Sequence, residues 1–381
     1  MRIMIVTDAW VPQVNGVVRT MQRVIGELEA EGHVFEIVHP GDGFRTFPLP
    51  TYPEIRLALF ARNKVEARFH AFEPDAVHVV TEGTLGMAGR AMCLKIKHPF
   101  STAYHTRFPE YVAARIPVPV SWGYSYVRWF HKYSGRVMVP TQSMVDELNQ
   151  KKFINTVAWT RGVDTVQFHP SKRAAPGSDS DPYTGLARPI FLNVGRVAVE
   201  KNIEAFVELD LPGSKVVIGD GPAMKELQKK YPEVHFLGSK FDEELAACYA
   251  SADVFVFPSL TDTFGLVVLE AMASGTPVAA FEATGPKDVI PGSNAGTITP
   301  LGGDLAAGTV ACLELSRDTC RAYAETYSWK AVAHAFLENL QPMRTPERRR
   351  FWQKLRRKKK TWIDWDQLTE WAGKQQPKNR K

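Results

Sequence analysis

The stretch SLTDTFGLVVLEAMASGTPVAA, Ser259–Ala280, places one carboxylate, Glu270, among residues that are otherwise nearly all apolar or small. The run before it, DVFVFPS, predicts a buried strand. TDTFG predicts a turn into a helix that begins near Phe264 and ends by Gly275 and Pro277. A second strand follows at TPVAAF, and a strand–helix–strand unit of this kind is typical of a parallel α/β sheet.

The same alternation runs along the rest of the chain. Apolar runs predict strands in the first half at RIMIVT, HVFEIVHP, AVHVV, FSTAY, RVMVPT and NTVAWT, and in the second half at PIFLNVG, SKVVIGDG and VHFLG. Residues 171–188 are dense in Pro, Gly, Ser and Asp and predict a linker. We therefore expect an α/β protein with two doubly wound, Rossmann-like domains, residues 1–170 and 189–340, that face each other across a cleft.

Length and composition indicate a folded chain with two cores. The chain has 381 residues, of which 44% are hydrophobic and 23% charged. The apolar run at the N-terminus is too short for a signal peptide, and none approaches the roughly 20 residues of a spanning helix. The four cysteines show no metal-binding spacing and indicate reduced thiols in a cytosol. We expect a cytoplasmic protein without a metal.

The net charge of +6 is concentrated in residues 341–381, which we predict to be a basic, Trp-rich tail. From Met343 onward 14 residues are basic and four are acidic, and four of the nine tryptophans lie among them: Trp352, Trp362, Trp365 and Trp371. Disordered segments contain few aromatics. Basic side chains interleaved with tryptophan suit the anionic surface of a membrane. Single-stranded nucleic acid, the less favoured partner, would suit the same composition.

Glu270 needs hydrogen-bond donors, because an unpaired carboxylate is costly to bury. A ribose supplies two neighbouring hydroxyls, and a buried ion pair is the alternative. Asp262 precedes the N-terminus of the predicted helix, where negative charge is favoured, although Asp262 or Thr263 would also serve as a simple N-cap.

The segment NVGRVAVEKN supplies cations in the same half. Arg196 and Lys201 flank a short turn after a predicted strand, ahead of Asn202, a candidate N-cap. Two cations at the carboxyl end of a strand suit a diphosphate.

On these residues the chain resembles glycosyltransferase family 4, which contains retaining enzymes of the GT-B fold. The resemblance includes Arg196, Lys201, GDGP at Gly219–Pro222, LGS at Leu237–Ser239, and Asp262 and Glu270 with seven residues between them. In the first half it includes DAWVPQVNGVVRT, TEGTLG, AYHTRFPEY and RGVDTVQFHP, so that it covers roughly residues 1–340. The chain is similar to the bacterial lipid branch: diacylglycerol glycosyltransferases, sulfoquinovosyl diacylglycerol synthases and phosphatidylinositol mannosyltransferases. Asp262 departs from the Glu that the family usually has there.

The resemblance implies a hexosyltransferase that uses a UDP- or GDP-sugar and no metal or other cofactor. It implies a membrane lipid acceptor, such as diacylglycerol, and a peripheral location at the inner face of the cell membrane. The resemblance assigns no residue as a general base. The implied catalytic residues are His105 beside the transferred sugar, Arg196 and Lys201 on the diphosphate, and Asp262 on the donor sugar. The implied binding residues are Gly16 near the phosphates, Ser239 and Lys240 at the base, Phe264, Gly265 and Leu266 at the sugar, and Glu270 on the ribose.

Other classes of protein fit less well. A metal-dependent glycosyltransferase would use an Asp-x-Asp site, but Asp179-Ser-Asp181 lies in the predicted linker and Asp364-Trp-Asp366 in the tail. GDGPAMKEL lacks the third glycine of a dinucleotide fingerprint. A polysaccharide acceptor, or a non-catalytic protein that binds membranes or nucleic acid, stays open as an alternative function.

Two stretches bear on the acceptor. Arg115–Arg136 combines aromatic with basic residues, and Ile55–Phe72 is amphipathic with Arg62, Lys64 and Arg68. Each alone predicts a helix that faces a core, and together with the tail they favour a membrane-associated acceptor. The sequence leaves the sugar open among UDP-glucose, UDP-glucuronate and GDP-mannose.

Overall fold

The structure is a computed structural model that describes residues 1–13, 15–49, 52–113, 118–343 and 345–359. The strands are β1 (Arg2–Val6), β2 (Val34–Val38), β3 (Thr46–Leu49), β4 (Tyr52–Ala58), β5 (Ala76–Val79), β6 (Ser101–Ala103), β7 (Val137–Val139), β8 (Thr156–Ala158), β9 (Ile190–Val194), β10 (Ser214–Ile218), β11 (His235–Phe236), β12 (Val254–Phe257), β13 (Val278–Phe281) and β14 (Gly296–Thr299).

The helices alternate with these strands. They are α1 (Gly16–Ala30), α2 (Ala61–Phe72), α3 (Thr84–Ile96), α4 (Phe108–Ala113), α5 (Val120–His131), α6 (Gln142–Gln150), α7 (Glu204–Val207), α8 (Met224–Lys230), α9 (Asp242–Ser251), α10 (Leu266–Ala273), α11 (Pro286–Val289), α12 (Leu305–Ala311), α13 (Arg317–Ala324), α14 (Trp329–Asn339) and α15 (Thr345–Lys359).

The two doubly wound halves are confirmed. The first half has a six-stranded sheet in the order β2-β1-β5-β6-β7-β8, and the second a six-stranded sheet in the order β11-β10-β9-β12-β13-β14. All neighbouring strands in both sheets are parallel. The strand order reverses between β1 and β5 and again between β9 and β12. A ligand crevice is expected outside the carboxyl ends of the strands at such points.

The central strands are buried because helices cover both faces of each sheet. Ile3, Met4, Ile5 and Val6 of β1 are fully buried, as a parallel sheet between two helix layers requires. Every strand predicted from the sequence is present. The antiparallel hairpin β3–β4 and the edge strand β14 were not predicted.

The last helices return to the first half. Helix α14 packs on α1, and Val332, Ala333 and Phe336 join a core cluster with Ile3 and Met21. The predicted domain limits stay predictions, but the chain crosses back before residue 340, inside the range that we assigned to the second domain.

Helix α15 also packs on the first half, so this part of the predicted tail belongs to the fold. Trp352 is buried and stacks on Phe69 of α2 with ring centroids 5.2 Å apart. Arg348 pairs with Asp75. Trp352 therefore belongs to a core, and the prediction that it meets a membrane is wrong. Trp362, Trp365 and Trp371 lie outside the described residues.

The predicted linker packs against the second half. Tyr183 is buried and its hydroxyl donates to the carbonyl of Cys248 at 2.7 Å. Asp181 accepts from the main-chain N–H groups of Gly177 and Tyr183 at 2.9 and 3.1 Å, so it holds a turn. Within the described ranges, no three His, Cys, Asp or Glu side chains come together as a metal site would require. The second Asp-x-Asp, at 364–366, lies outside those ranges.

No helix in the described part of the chain is long and apolar enough to cross a membrane. The four cysteines are buried free thiols.

Candidate functional site

A cleft of about 1540 Å³ lies between the two halves, at the carboxyl ends of the strands where each sheet reverses its order. Asp8, Thr81, Gly195 and Ser259 line it, and they follow β1, β5, β9 and β12. The cleft brings together all of the predicted site residues: Gly16, His105, Arg196, Lys201, Ser239, Lys240, Asp262, Phe264, Gly265, Leu266 and Glu270.

The two predicted cations are ion-paired with carboxylates. Lys201 Nζ lies 2.5 Å from Asp262 Oδ1, and Arg196 pairs with Glu200. Asp262 Oδ2 is buried and has no hydrogen-bond partner among the described residues. Because each cation has a carboxylate beside it, a diphosphate would compete with these carboxylates for the two cations. Asn202 is not an N-cap, because its φ is +53° and its amide donates to the carbonyl of Pro258 at 3.0 Å.

Helix α10 begins two residues later than the sequence indicated. Its N-cap is Gly265, whose φ of +80° favours glycine. Gly265 has no side chain to accept from the first turn, so the N–H groups there are available to an anion. Asp262 and Thr263 are therefore not caps. Thr263 Oγ1 instead donates to the main-chain carbonyl of His105 across the cleft, at 2.7 Å.

Glu270 has two partners. The hydroxyl of Tyr249 donates to Oε2 at 3.0 Å, and Arg19 Nη1 from the first half lies 3.3 Å from Oε1. Burial raises the pKa of the Glu270 carboxyl, while Arg19 and Tyr249 act in the opposite direction. An ion pair, the alternative interpretation of Glu270, is thus present in the wall of the cleft, with a buried carboxylate and a partly exposed arginine.

His105 lies just after β6 and is buried. Its Nδ1 is 3.1 Å from Arg161 Nη2, and its ring packs edge-on against Trp159 at 5.9 Å. Its Nε2 is buried and has no hydrogen-bond partner among the described residues. Burial lowers the pKa of His105 well below 6.5, and the charge of Arg161 lowers it further, so the ring is neutral.

The remaining predicted residues lie at the edges of the cleft. Gly16 is the first residue of α1, and a Cβ there would lie 3.7 Å from Leu266 Cδ1 of the opposite half. The main chain of α1 therefore approaches the start of α10 closely. Ser239 and Lys240 follow β11, and Lys240 Nζ lies 3.5 Å from Glu244 Oε2.

The sequence did not reveal the roles of Asp8, Arg19 and Arg161 in this cleft. Asp8 accepts hydrogen bonds from the N–H groups of Leu85 and Gly86 at 2.9 and 3.2 Å, and so caps α3. A lone carboxylate directly after an apolar strand is the signal that could have identified Asp8, by the argument that we applied to Glu270. Arg161 lies inside RGVDTVQFHP, a stretch that carried the resemblance without a role for this residue.

The first-half wall of the cleft combines charged groups, such as Asp8, Arg19 and Glu82, with a set of apolar and aromatic residues. These are Leu57, Ala58, Leu59, Phe60, Met87, Phe108 and Tyr126. Phe60 is 90% exposed and has φ of +54°, an unfavourable backbone conformation for a bulky side chain. Trp122 lies one turn before Tyr126 on α5 and is 68% exposed. We name Trp122, Trp129, Lys132 and Tyr133, all exposed, the α5 surface.

The amphipathic stretch Ile55–Phe72 is less available to a membrane than predicted. Arg68 pairs with Glu36 and Asp42, and Lys64 donates to the carbonyl of Asp42. Arg62, which is exposed, lines the cleft.

Two family models match the chain, one on each half. The model described as Glycosyltransferase Family 4 matches residues 14–167, and the model described as Glycosyl transferases group 1 matches residues 188–318.

Three curated relatives show what similar chains do. A GDP-mannose-dependent alpha-mannosyltransferase of Mycobacterium tuberculosis is 30% identical over 79% of this chain and 84% of its own length. A sulfoquinovosyl transferase of Arabidopsis thaliana is 33% identical over 65% of this chain and 51% of its own. An alpha-monoglucosyldiacylglycerol synthase of Streptococcus pneumoniae is 29% identical over 74% of this chain and 71% of its own.

Solved structures share the architecture. Sucrose-phosphate synthase of Thermosynechococcus elongatus superposes with a TM-score of 0.69 at 20% identity, over 88% of this chain and 97% of that one. The Anabaena protein HepE in complex with UDP superposes with a TM-score of 0.66 at 16% identity, over 89% of this chain and 99% of that one. At these identities the likeness bears on the fold alone.

Proposed function

The chain belongs to the family 4 glycosyltransferases and has their GT-B fold, and from this premise we propose that it transfers a hexose, with retention, from a nucleoside-diphosphate sugar to a lipid acceptor at an anionic membrane. One of the relatives is named for its dependence on GDP-mannose. A UDP- or GDP-sugar as donor also suits the ion-paired cations at Arg196 and Lys201. Among those relatives, one is named for a diacylglycerol product.

The observation that carries the lipid acceptor is the set of apolar residues in the first-half wall of the cleft, which includes Leu57, Met87 and Phe108. The second half contributes ionic groups for the donor at Arg196, Lys201 and Asp262. Apolar side chains favour contact with a hydrocarbon chain over contact with water. A diacylglycerol has one hydroxyl to accept the sugar and two acyl chains to occupy such a wall.

The α5 surface supports a membrane location. Trp122, Trp129 and Tyr133 are 68, 44 and 57% exposed, and Lys132 lies among them. Aromatic rings of this kind settle at the boundary between headgroups and acyl chains, and a cation beside them favours anionic lipid. Since Tyr126 on the same helix lines the cleft, a membrane at this surface would present its lipids next to the first-half wall of the cleft. Residues 360–381 carry five basic and three acidic side chains and three tryptophans, and these would add modestly to the attraction from the cytoplasmic side.

The anomeric configuration is retained most simply if the acceptor attacks the face of the sugar from which the diphosphate leaves. In this proposal the acceptor oxygen bonds to the anomeric carbon as the bond to the diphosphate breaks, and the departing diphosphate oxygen takes the acceptor proton. Lys201, Arg196 and the first turn of α10 would stabilise the negative charge on the leaving group. Asp262 and Glu270 are both ion-paired, so the proposal requires neither as a nucleophile or a base.

The test is transfer by the full chain from radiolabelled UDP-glucose, UDP-glucuronate and GDP-mannose. Diacylglycerol in vesicles that contain about 30% phosphatidylglycerol is one acceptor, and soluble oligosaccharides are the other. We expect lipid product from one donor, with the anomeric configuration of that donor. Product on oligosaccharide alone would contradict the lipid acceptor, and no product from any donor would contradict the catalytic function.

Matched substitutions separate the α5 surface from exposed apolar residues in general. Trp122→Ala should reduce vesicle sedimentation and transfer to lipid about 10-fold, while the nucleotide affinity stays the same. Ile154→Ala is the control, because Ile154 is 55% exposed in the same half and lines no part of the cleft. Equal sedimentation of the two variants would show that the α5 surface does not bind the membrane.

A further inference from the structure

Arg161 is a buried cation with an unusual set of partners. It is 4% exposed, lines the cleft, and stacks over the ring of Trp159 with its guanidinium carbon 4.6 Å from the ring centroid. Nη1 donates to the carbonyls of Trp159 and Thr160 at 2.5 and 3.1 Å, and Nη2 donates to Nδ1 of His105 at 3.1 Å. In the described part of the chain these are its hydrogen-bond partners, and none of them is a carboxylate.

This contact decides which ring nitrogen of His105 carries the proton. A guanidinium has only donors, so the Nδ1 atom that faces it must accept. In a neutral imidazole the hydrogen then lies on Nε2. That Nε2–H group is the buried atom that has no acceptor among the described residues. A buried donor without an acceptor is costly, and a hydroxyl of a ligand in the cleft would remove that cost.

We propose that Arg161 is a positioning residue, which fixes His105 in the Nε2–H tautomer so that His105 donates a hydrogen bond to a hydroxyl of the transferred sugar. This inference rests on the proposed transfer from a nucleotide sugar. It assigns Arg161 no contact with the substrate.

Burial, more than any neighbour, keeps the ring of His105 neutral, and the guanidinium of Arg161 opposes a positive charge on it further. The other titratable groups that face the ring are His78 and His131. His131 is itself held by Glu82 at 3.2 Å, and His78 by Ser101 at 2.9 Å. With the pKa of His105 well below 6.5, its donor should persist across the neutral range of pH.

The first measurement is of the tautomer and needs no activity. In ¹⁵N-labelled full-length protein, imidazole spectra should show His105 as the Nε2–H tautomer, without titration between about pH 5.5 and 8.5. His105→Gln identifies its signals. In Arg161→Met the two tautomers should mix, because nothing then obliges Nδ1 to accept, while burial keeps the ring neutral across this range. An Nε2–H tautomer that persists unchanged in Arg161→Met would overturn the proposal, whether or not the enzyme transfers sugar.

The second measurement links the tautomer to transfer. Arg161→Met should lower kcat about 10²-fold, as loss of an oriented donor does, and leave the dissociation constant of the free nucleotide within about 2-fold. Arg161→Lys, which keeps a cation and a donor, should recover part of the activity. In a His105→Gln background, Arg161→Met should cost little more, because residues that act as a unit are not additive. A full 10²-fold loss in that background would show that Arg161 acts independently of His105.

Arg317 supplies a matched control. Its guanidinium also donates to main-chain carbonyls, those of Ala252 and Ala250, and burial lowers its pKa to about 10, but it lies outside the cleft. Arg317→Met should lower thermal stability without changing kcat per folded enzyme or the His105 spectrum. A loss of kcat equal to that of Arg161→Met would mean that removal of any arginine that binds main-chain carbonyls has this effect.

Discussion

Glu270 is held in the fold by two partners of different kinds. Tyr249 and Arg19 compensate its charge, and Arg19 belongs to the opposite half and is 41% exposed in its side chain. An exposed partner is easily replaced, because solvent-accessible ion pairs contribute little free energy. A ribose could therefore bind the carboxylate without leaving an uncompensated buried charge, since Tyr249 stays in place.

Replacing Glu270 by Gln should weaken binding of free UDP or GDP by about 10- to 100-fold, because an amide loses the charge-assisted bonds to hydroxyls. Burial raises the pKa of Glu270, so the wild-type affinity should fall as pH drops through that raised value, where the carboxylate becomes neutral. Isothermal titration across pH measures both effects. Glu204→Gln, a surface change in the same half, is the control. Glu270→Gln should bind the nucleotide with a flatter pH profile than the wild-type protein. An unchanged profile in Glu270→Gln would mean that Glu270 does not contact the ribose.

At the scale of elements, the sequence predicted the strands and the site loops well. The runs around β1, β9 and β12 are apolar and end in turn residues, and the side chains after them, including Arg196 and Asp262, line the cleft as expected. Hairpin β3–β4 was missed because its alternation is weak and Pro48 and Pro53 interrupt it. Arg161 was missed because nothing in the local sequence indicates that its partner is a histidine 56 residues away.

Helix α15 was misjudged for a different physical reason. Its composition is strongly basic, which suggested a membrane, but one side of the helix is apolar at Phe351, Trp352 and Leu355 and packs on the first half. Charge counts describe the exposed face of a helix and say little about the buried one. The buried face decides whether the helix belongs to the fold.

Trp352→Ala should therefore destabilise the protein by about 3 to 5 kcal/mol, the usual cost of deleting a buried aromatic side chain. Trp122→Ala, which removes the same side chain from an exposed position, should change the free energy of unfolding by less than about 0.5 kcal/mol. Urea denaturation followed by circular dichroism measures both. Deleting residues 360–381 would test that segment for membrane binding and keep α15, whereas deletion from residue 344 would also remove α15. Equal stabilities of the two tryptophan variants would contradict the docking of α15.

On the scale of the whole molecule, side chains join the two halves across the cleft. Ser143 donates from its main-chain N–H and its hydroxyl to Asp288 at 2.9 and 2.5 Å, and Arg107 donates to Thr284 Oγ1 at 2.7 Å. With the bond from Thr263 to the carbonyl of His105, these contacts join the halves around one cleft, an arrangement that we call the closed state. Closure places the groups of both halves around one ligand.

Asp288→Ala should loosen this closed state, because both bonds to Ser143 are lost. The radius of gyration from X-ray scattering should rise in the free protein and return to the wild-type value with nucleotide sugar. The KM for the donor should rise about 5-fold, since the competent state becomes less populated, while kcat stays the same. Asp318→Ala, on the exposed surface of the second half, is the control. A variant with the wild-type radius and KM would show that these contacts do not govern closure.

The return of the chain to the first half means that the polypeptide passes between the halves twice, and the two passages run side by side. The N–H of Val163 on the outward passage donates to the carbonyl of Tyr327 on the return at 3.0 Å, and a Cβ on Gly162 would lie 2.7 Å from Trp329. A protease that nicked the outward passage would leave α14 and α15 packed in the first half and still attached to the second. A nick in the return passage would leave the outward one intact. Neither cut alone would set the two halves free.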